Sequence, residues 1–246
     1  MTKRFEGKLA VVTGASRGIG YQVAKGLAAE GAHIIAIART VGGLEDLDDE
    51  IQAAGGSTTL VPLDLMDFEA IDRLGASIYE RWGKLDMLVG NAGLLGILSP
   101  VGHIDPKDFE EVMAVNVTAN YRLIRSLDPL LRAANAGRAA FISSGAAHKC
   151  KPYWGIYSVS KAALEALVRT YAGETETTSN VRANLVNPGP MRTAMRAKAM
   201  PGEDPETLPH PGELVGPIMD LLSADFDETG KLYDFPTHAL KDFAAG

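Results

Sequence analysis

Apolar and polar positions along this chain form two kinds of block that alternate from one end to the other. Short runs with almost no polar residue, such as Leu9-Ala10-Val11-Val12-Thr13 and His33-Ile34-Ile35-Ala36-Ile37-Ala38, are separated by longer stretches in which apolar residues recur at helical spacing. A run that is apolar throughout suits a strand buried on both faces, and helical periodicity suits a helix with one face on the sheet. The predicted strands fall at 9–13, 33–38, 58–63, 86–90, 139–143, 180–187 and 231–235. Predicted helices cover 21–30, closed by Gly31; the stretch from Val41-Gly42-Gly43 to about 54, closed by Gly55-Gly56; and the segment capped by Asp67 that runs to 82. A long helix opens at Asp105-Pro106 and carries Asn116 in its interior, another contains Tyr157, and one runs from Pro211 to about 222. Residues 191–210 show no clear periodicity and read as a connection. Strand and helix alternate without a long linker, a repeat or a low-complexity segment. The pattern predicts an α/β chain with one domain over 1–246: a doubly wound, Rossmann-like parallel sheet of about seven strands in the order 3-2-1-4-5-6-7.

In such a sheet ligands sit at the carboxyl ends of the strands, and there the chain carries its unusual residues. Gly14-Ala15-Ser16-Arg17-Gly18-Ile19-Gly20 follows the first strand and opens the first helix. Three glycines at the mouth of a helix suit a loop whose backbone approaches a phosphate. The spacing Gly-x-x-x-Gly-x-Gly is a variant of the Gly-x-Gly-x-x-Gly fingerprint. Ala38-Arg39-Thr40 ends the second strand without a carboxylate for a ribose 2′-hydroxyl. An arginine there accommodates the 2′-phosphate of NADP, and Arg17 offers a second guanidinium. The alternative, less favoured by their positions, is that both arginines are merely solvated.

Tyr157 and Lys161 stand four apart and so share one helix face. A phenol of ordinary pKa, about 10, is a poor acid or base near neutrality, and an adjacent ammonium draws that value down. The pair then suits proton transfer to a carbonyl or from an alcohol. Tyr-x-x-x-Lys also arises on solvated helix faces, so its meaning rests on the surrounding motifs.

Composition narrows the choices. The 246 residues are 46% hydrophobic and 22% charged, with net charge −7 and no basic tract, which argues against nucleic acid as a partner. Cys150 is the only cysteine, so no intrachain disulfide forms and a reducing compartment is indicated. No apolar run reaches the roughly 18 residues of a membrane span, and the start from Met1 to Gly7 lacks a signal-type apolar region. The chain is expected in the cytoplasm, with no membrane partner and no metal.

Taken in order, Thr13-Gly14-x-x-x-Gly18-x-Gly20, Asn91-Ala92-Gly93, Asn116, Ser144, Tyr157-x-x-x-Lys161 and Pro188-Gly189 resemble the short-chain dehydrogenase/reductase family, in its short single-domain branch. The resemblance implies an NADP-dependent oxidoreductase, with NAD the lesser cofactor, acting on a carbonyl or a secondary alcohol. It implies four catalytic residues. Tyr157 is the acid/base, Lys161 tunes it and holds the nicotinamide ribose, Ser144 donates to the substrate oxygen, and Asn116 holds a water that links Lys161 to solvent. It places the cofactor on Gly14, Ser16, Arg17, Gly18, Ile19, Gly20, Arg39 and Thr40, with Asp64 and Leu65 at the adenine. Asn91, Ala92, Gly93, Tyr157, Lys161, Pro188, Gly189 and Thr193 complete that set. A homodimer or homotetramer is implied, although the tail Lys231-Leu232-Tyr233-Asp234-Phe235 lacks the family's Asp-Gly-Gly. Where the family has Asn-Asn-Ala-Gly this chain has Gly90-Asn91-Ala92-Gly93, which is expected to loosen the packing of the fourth strand. The other class of reading is a dinucleotide-binding sensor or scaffold that has lost turnover. Against it stands the complete Asn-Ser-Tyr-Lys set, which a mere binder does not need.

The substrate is expected among Leu94, Leu95, Ile97, His148, Lys149, Cys150, Tyr153, Trp154 and Met191, which suit a partly apolar molecule. The short segment from 189 to 211 predicts a shallow, open site. His148 and Lys149 read either as an anchor for a substrate anion or as a solvated loop. Cys150 reads as reactive or as idle. For the cofactor the expected outcome is definite: Arg39→Asp shifts preference toward NAD, measured as the ratio of kcat/KM with the two nucleotides. An unchanged ratio would defeat the phosphate assignment.

Overall fold

The computed structural model describes residues 3–243. Met1 and Thr2, where the reading of the amino-terminal stretch begins, and the last three positions of the expected 1–246 domain lie outside the described residues. Eight strands form one sheet in the order β3-β2-β1-β4-β5-β6-β7-β8. They are β1 (Leu9–Thr13), β2 (His33–Ala38), β3 (Ser57–Pro62), β4 (Met87–Gly90), β5 (Arg138–Ile142), β6 (Arg182–Asn187), β7 (Leu232–Asp234) and β8 (Ala239–Lys241). Pairing is parallel from β3 through β7, with Leu9 opposite His33 and Ala10 opposite Met87 in the centre. The expected seven-strand order is there, with one strand more.

The unbroken apolar runs have a direct cause. In β1, Ala10 and Val12 enter one core layer while Leu9 and Val11 enter the layer on the other face. In β2, Ile34 and Ala36 go to the first layer, and Ile35 and Ile37 to the second. Both faces are covered, so both phases of the strand period must be apolar. Helices α1 (Gly18–Ala29) and α2 (Val41–Ala53) contribute Val23, Leu27, Leu44 and Leu47 to the first layer. Helix α3 (Phe68–Trp82) contributes Ile71 and Ile78 to the second. Each such fully buried side chain is worth roughly 1.5–3 kcal/mol over leaving it in water.

Four departures from the sequence reading bear on the site. The long helix after Asp105-Pro106 has three parts: α4 (Pro106–Met113), a π-turn over Ala114–Thr118, and α5 (Ala119–Ala133). Asn116 occupies the π-turn. The 191–210 connection contains a helix, α8 (Ala194–Ala199), capped by the Thr193 side chain; six residues are too few to show a period. Strand β8 turns back antiparallel along β7, with Lys241 paired to Asp234, and covers the sheet's outer edge. Lastly, Gly90 does not loosen β4. A Cβ there would stand 2.3 Å from Cδ1 of Phe141, the residue opposite on β5, so the ring already fills the space of the missing side chain.

Substitution tests this exchange. Gly90→Ala is expected to lower stability by about 1–3 kcal/mol through overpacking. Combined with Phe141→Leu, it should cost less than the sum of the two single changes in urea unfolding. Strict additivity would mean that the ring is not what occupies that space.

Candidate active site

The carboxyl ends of β1, β4, β5 and β6 open onto one cleft of about 640 Å³. Of the residues expected for catalysis and cofactor binding, all but Gly20 and Asn116 line it; those two stand directly behind. At the nucleotide end, Thr13 Oγ1 accepts from the backbone N–H groups of Asn91 and Ala92, each at 3.0 Å. Asn91 Nδ2 donates back to the carbonyl of Thr13 at 2.8 Å. This stitch holds the two loops at a separation that only glycine permits. A Cβ at Gly14, where φ is +65°, would meet Asn91 Nδ2 at 2.8 Å, and one at Gly20 would meet it at 2.4 Å. At Gly18, by contrast, a notional Cβ would make only ordinary contact, with Thr193 Cγ2 at 3.6 Å, and it is the φ of +62° that favours glycine there. The glycine loop thus leaves a backbone-lined channel at the start of α1, the cradle that a pyrophosphate requires. Arg17 is exposed and pairs with no carboxylate among the described residues, while Arg39 has only a loose contact, 3.8 Å, with Asp64.

At the other end stand the four residues expected for proton transfer. Tyr157 and Lys161 lie on α7 (Gly155–Glu176), one turn apart, and are 8% and 3% exposed. Lys161 Nζ donates to the carbonyl of Ile142, the last residue of β5, at 2.7 Å and lies 5.8 Å from the Tyr157 ring centre. Ser144, two residues further, faces the phenol. Burial pushes the phenol up to about 12, and Ser144 pulls it down by less. Burial also pushes the Lys161 ammonium down to about 8, against the pull of Glu165. The expected acidification of Tyr157 by Lys161 is not among the influences on the phenol; desolvation dominates both groups, and each resists its charged form.

Asn116 acts on the backbone. Its Oδ1 accepts from Leu94 N–H at 2.7 Å, and its Nδ2 donates to Leu94 O and Ser160 Oγ, both at 2.9 Å. It thereby ties the loop after β4 to α7. A Cβ on Gly93 would stand 3.2 Å from Asn116 Oδ1, a tight contact, and 3.5 Å from Lys161 Nζ, an ordinary one, so glycine leaves extra room beside both.

Sequence reasoning missed the carboxylate that completes this cluster. Glu165, one turn beyond Lys161, is buried; Ser143 Oγ donates to it at 2.5 Å and His148 Nε2 lies 2.9 Å from its other oxygen. Burial raises its pKa, opposed by Ser143, His148, Arg169 and Lys161. The i, i+4, i+8 series Tyr157-Lys161-Glu165 was visible, but a glutamate on a long helix usually faces water. His148, on the short α6 (Ala146–Lys149), is thus turned away from the cleft.

The substrate end differs from expectation in its walls. Leu94, Leu95, Lys149, Trp154 and Met191 line the cleft; Ile97, His148, Cys150 and Tyr153 do not. Met195 and Ala199 of α8 pack with Leu95, Trp154 and Tyr157, which accounts for the burial of the phenol. The site is walled where a shallow, open one was expected.

Comparison with known proteins agrees with this geometry. The family model described as short chain dehydrogenase matches residues 8–204. The "Uncharacterized oxidoreductase YciK" of Escherichia coli K12 is 35% identical over 231 residues, 92% of this chain and 91% of that protein. A solved short chain dehydrogenase from Pseudomonas syringae superposes with a TM-score of 0.92 at 36% identity, covering 96% of this chain and 97% of its own. One from Shigella flexneri 2a, complexed with NADP, gives 0.91 at 33% identity, over 96% and 100%.

The Lys161 shift has a stability consequence. Its folded pKa, about 8, lies below the unfolded value of about 10.4. Between those values the unfolded chain binds more protons, so this group's contribution makes stability rise with pH across that window; below it the buried ammonium is a constant burden. Lys161→Met is expected to melt higher than the parent at pH 7, with the difference shrinking toward pH 10. A difference that does not vary with pH would show that the ammonium is not under strain.

Proposed function

The chain belongs to the short-chain dehydrogenase family, and on that premise we propose that it is a cytoplasmic, NADP-dependent oxidoreductase that interconverts a carbonyl group and a secondary alcohol on a partly apolar small molecule. One observation carries the reading: Ser144, Tyr157 and Lys161 meet at one end of a cleft whose other end is the glycine loop with Arg17 and Arg39. Arg39 and Arg17 would hold the 2′-phosphate, the loop from Gly14 to Gly20 and Thr193 the pyrophosphate, and Asp64 and Leu65 the adenine. Asn91, Ala92 and Gly93 would flank the ribose side, and Pro188 and Gly189 the nicotinamide side. The NADP bound by the Shigella relative supports this choice of nucleotide.

NADPH, when bound, supplies a hydride to the carbonyl carbon. Ser144 donates a hydrogen bond to the carbonyl oxygen and stabilises the negative charge that develops there. Tyr157 gives its phenolic proton to that oxygen, so one hydride and one proton make the alcohol. Lys161 stabilises the phenolate left behind, and Asn116 keeps the Leu94 loop and α7 in register around it. In the opposite direction Tyr157 takes the proton. The reading includes a homo-oligomer, formed without the outer edge of β7, which β8 covers.

A panel of ketones, aldehydes and secondary alcohols with NADP(H) is expected to give turnover read at the nicotinamide absorbance. Tyr157→Phe should lower it by about 10²–10⁴-fold while leaving NADPH affinity within about twofold. Full turnover by that variant, or none by the parent across the panel, counts against the reading. Light scattering that returns a single-chain mass would remove the oligomer from it.

A further inference from the structure

The chain carries a net charge of −7, yet seven of the residues lining the cleft are lysine or arginine and one, Asp64, is a carboxylate. Most of that positive charge has a use or a partner. Arg17 and Arg39 lie at the nucleotide end, and Lys161 is buried beside Tyr157. Arg192 pairs with Glu206 at 3.0 Å, and Arg196 with Glu203 through two contacts of 2.5 Å. Lys149 and Lys151 remain. Neither has a carboxylate partner among the described residues, and both line the cleft beside Trp154.

The segment that carries them is held in place. Helix α6 is one turn long, and successive residues on it point about 100° apart. His148 goes to Glu165 on one side, which leaves Lys149 facing the cleft. A Cβ on Gly145 would stand 3.5 Å from Lys149 Cε and 3.6 Å from its Nζ, so the ammonium lies over the residue that follows Ser144. Cys150 and Tyr153 adopt left-handed backbone, with φ of 41° and 72°. Neither is glycine, and such conformations persist only where the surroundings impose them. Here Tyr153 O accepts from Ser99 N–H at 3.0 Å and Lys151 O from Trp154 N–H at 3.2 Å. The loop is pinned to the segment that follows β4, at Ser99.

We propose that the substrate is an oxo acid or hydroxy acid with an apolar body, whose anionic group lies on Lys149 with Lys151 beside it, a few bonds from the carbon that reacts between Ser144 and Tyr157. The body would rest against Trp154, Leu95 and Met195. This rests on reading the cleft as a site of carbonyl chemistry and adds to it the charge of the molecule transformed. The anchor supplies orientation as well as affinity: with carbonyl and anion both held, only one face of the carbonyl meets the nicotinamide.

The test compares apolar oxo acids with their methyl esters, which keep the carbonyl and remove the charge, at constant NADPH. The acid is expected to show kcat/KM at least about tenfold above its ester, and added salt should erode that advantage. Lys149→Ala should reduce the acid-to-ester ratio about tenfold, and Lys149→Arg should restore most of it. A ratio near one in the parent, or one that Lys149→Ala leaves unchanged, overturns the anchor while turnover of neutral ketones keeps the oxidoreductase reading intact. If no compound turns over, the hydroxy acid and its amide are titrated into the NADP-loaded protein. Equal affinity overturns the anchor, and tighter binding of the acid that Lys149→Ala abolishes supports it.

Discussion

An ammonium group cut off from water must be held by oxygen atoms, and at Lys161 this requirement organises the carboxyl edge of the sheet. Among the described residues its direct hydrogen bond runs to the end of β5, at Ile142 O. A buried carboxylate, Glu165, stands one turn along the same helix; burial raises its pKa, and its contacts with Ser143 and His148 oppose that rise. Leaving a lone buried cation would cost several kcal/mol, so these supports are conditions for the lysine to be there at all. The long helix α7 packs Leu164, Val168 and Tyr171 into the second core layer, and its first turns bring Tyr157 and Lys161 to the cleft.

The same constraint explains the irregular helix opposite. A regular α-helix from Pro106 to Ala133 would present its residues at a fixed 100° step. The π-turn over Ala114–Thr118 lets Asn116 bond three partners at once, two on Leu94 and one on Ser160. Such bulges commonly accompany functional sites. Here the bulge locks the β4 loop to α7, so that Gly93 can lie over the lysine without closing the space above it.

What could be read from residues alone was whatever local pattern decides. The two-sided apolar strands gave their own burial, the glycine loop its place at the mouth of α1, and Tyr157 and Lys161 their shared face. What escaped depended on contacts between distant residues. Nothing near Gly90 says that Phe141, fifty residues on, fills its space. Three-residue β8 is too short to show alternation, and six-residue α8 too short to show a helical period. His148 and Lys149 look alike as neighbouring cations in a loop, and only the position of Glu165 separates them. The π-turn leaves no local mark because asparagine inside a helix looks merely indifferent.

Electrostatics also bears on what the proposed proton transfer requires. A phenol pushed up to about 12 is protonated at neutral pH, and the same burial makes its phenolate costly to form. To act first as a base it must ionise, at about 1.4 kcal/mol for each pH unit between ambient pH and its pKa. Lys161, although pushed down to about 8, is still mostly charged at pH 7 and in the proposed reaction would offset that cost. Giving the proton and ionising first both pass through the phenolate, so the same ammonium would serve the reaction in either direction. The surrounding charge works the same way. A cleft lined by cations in an acidic chain favours anionic species, and on the proposed reading it would help an oxyanion to form where Ser144 meets the substrate oxygen.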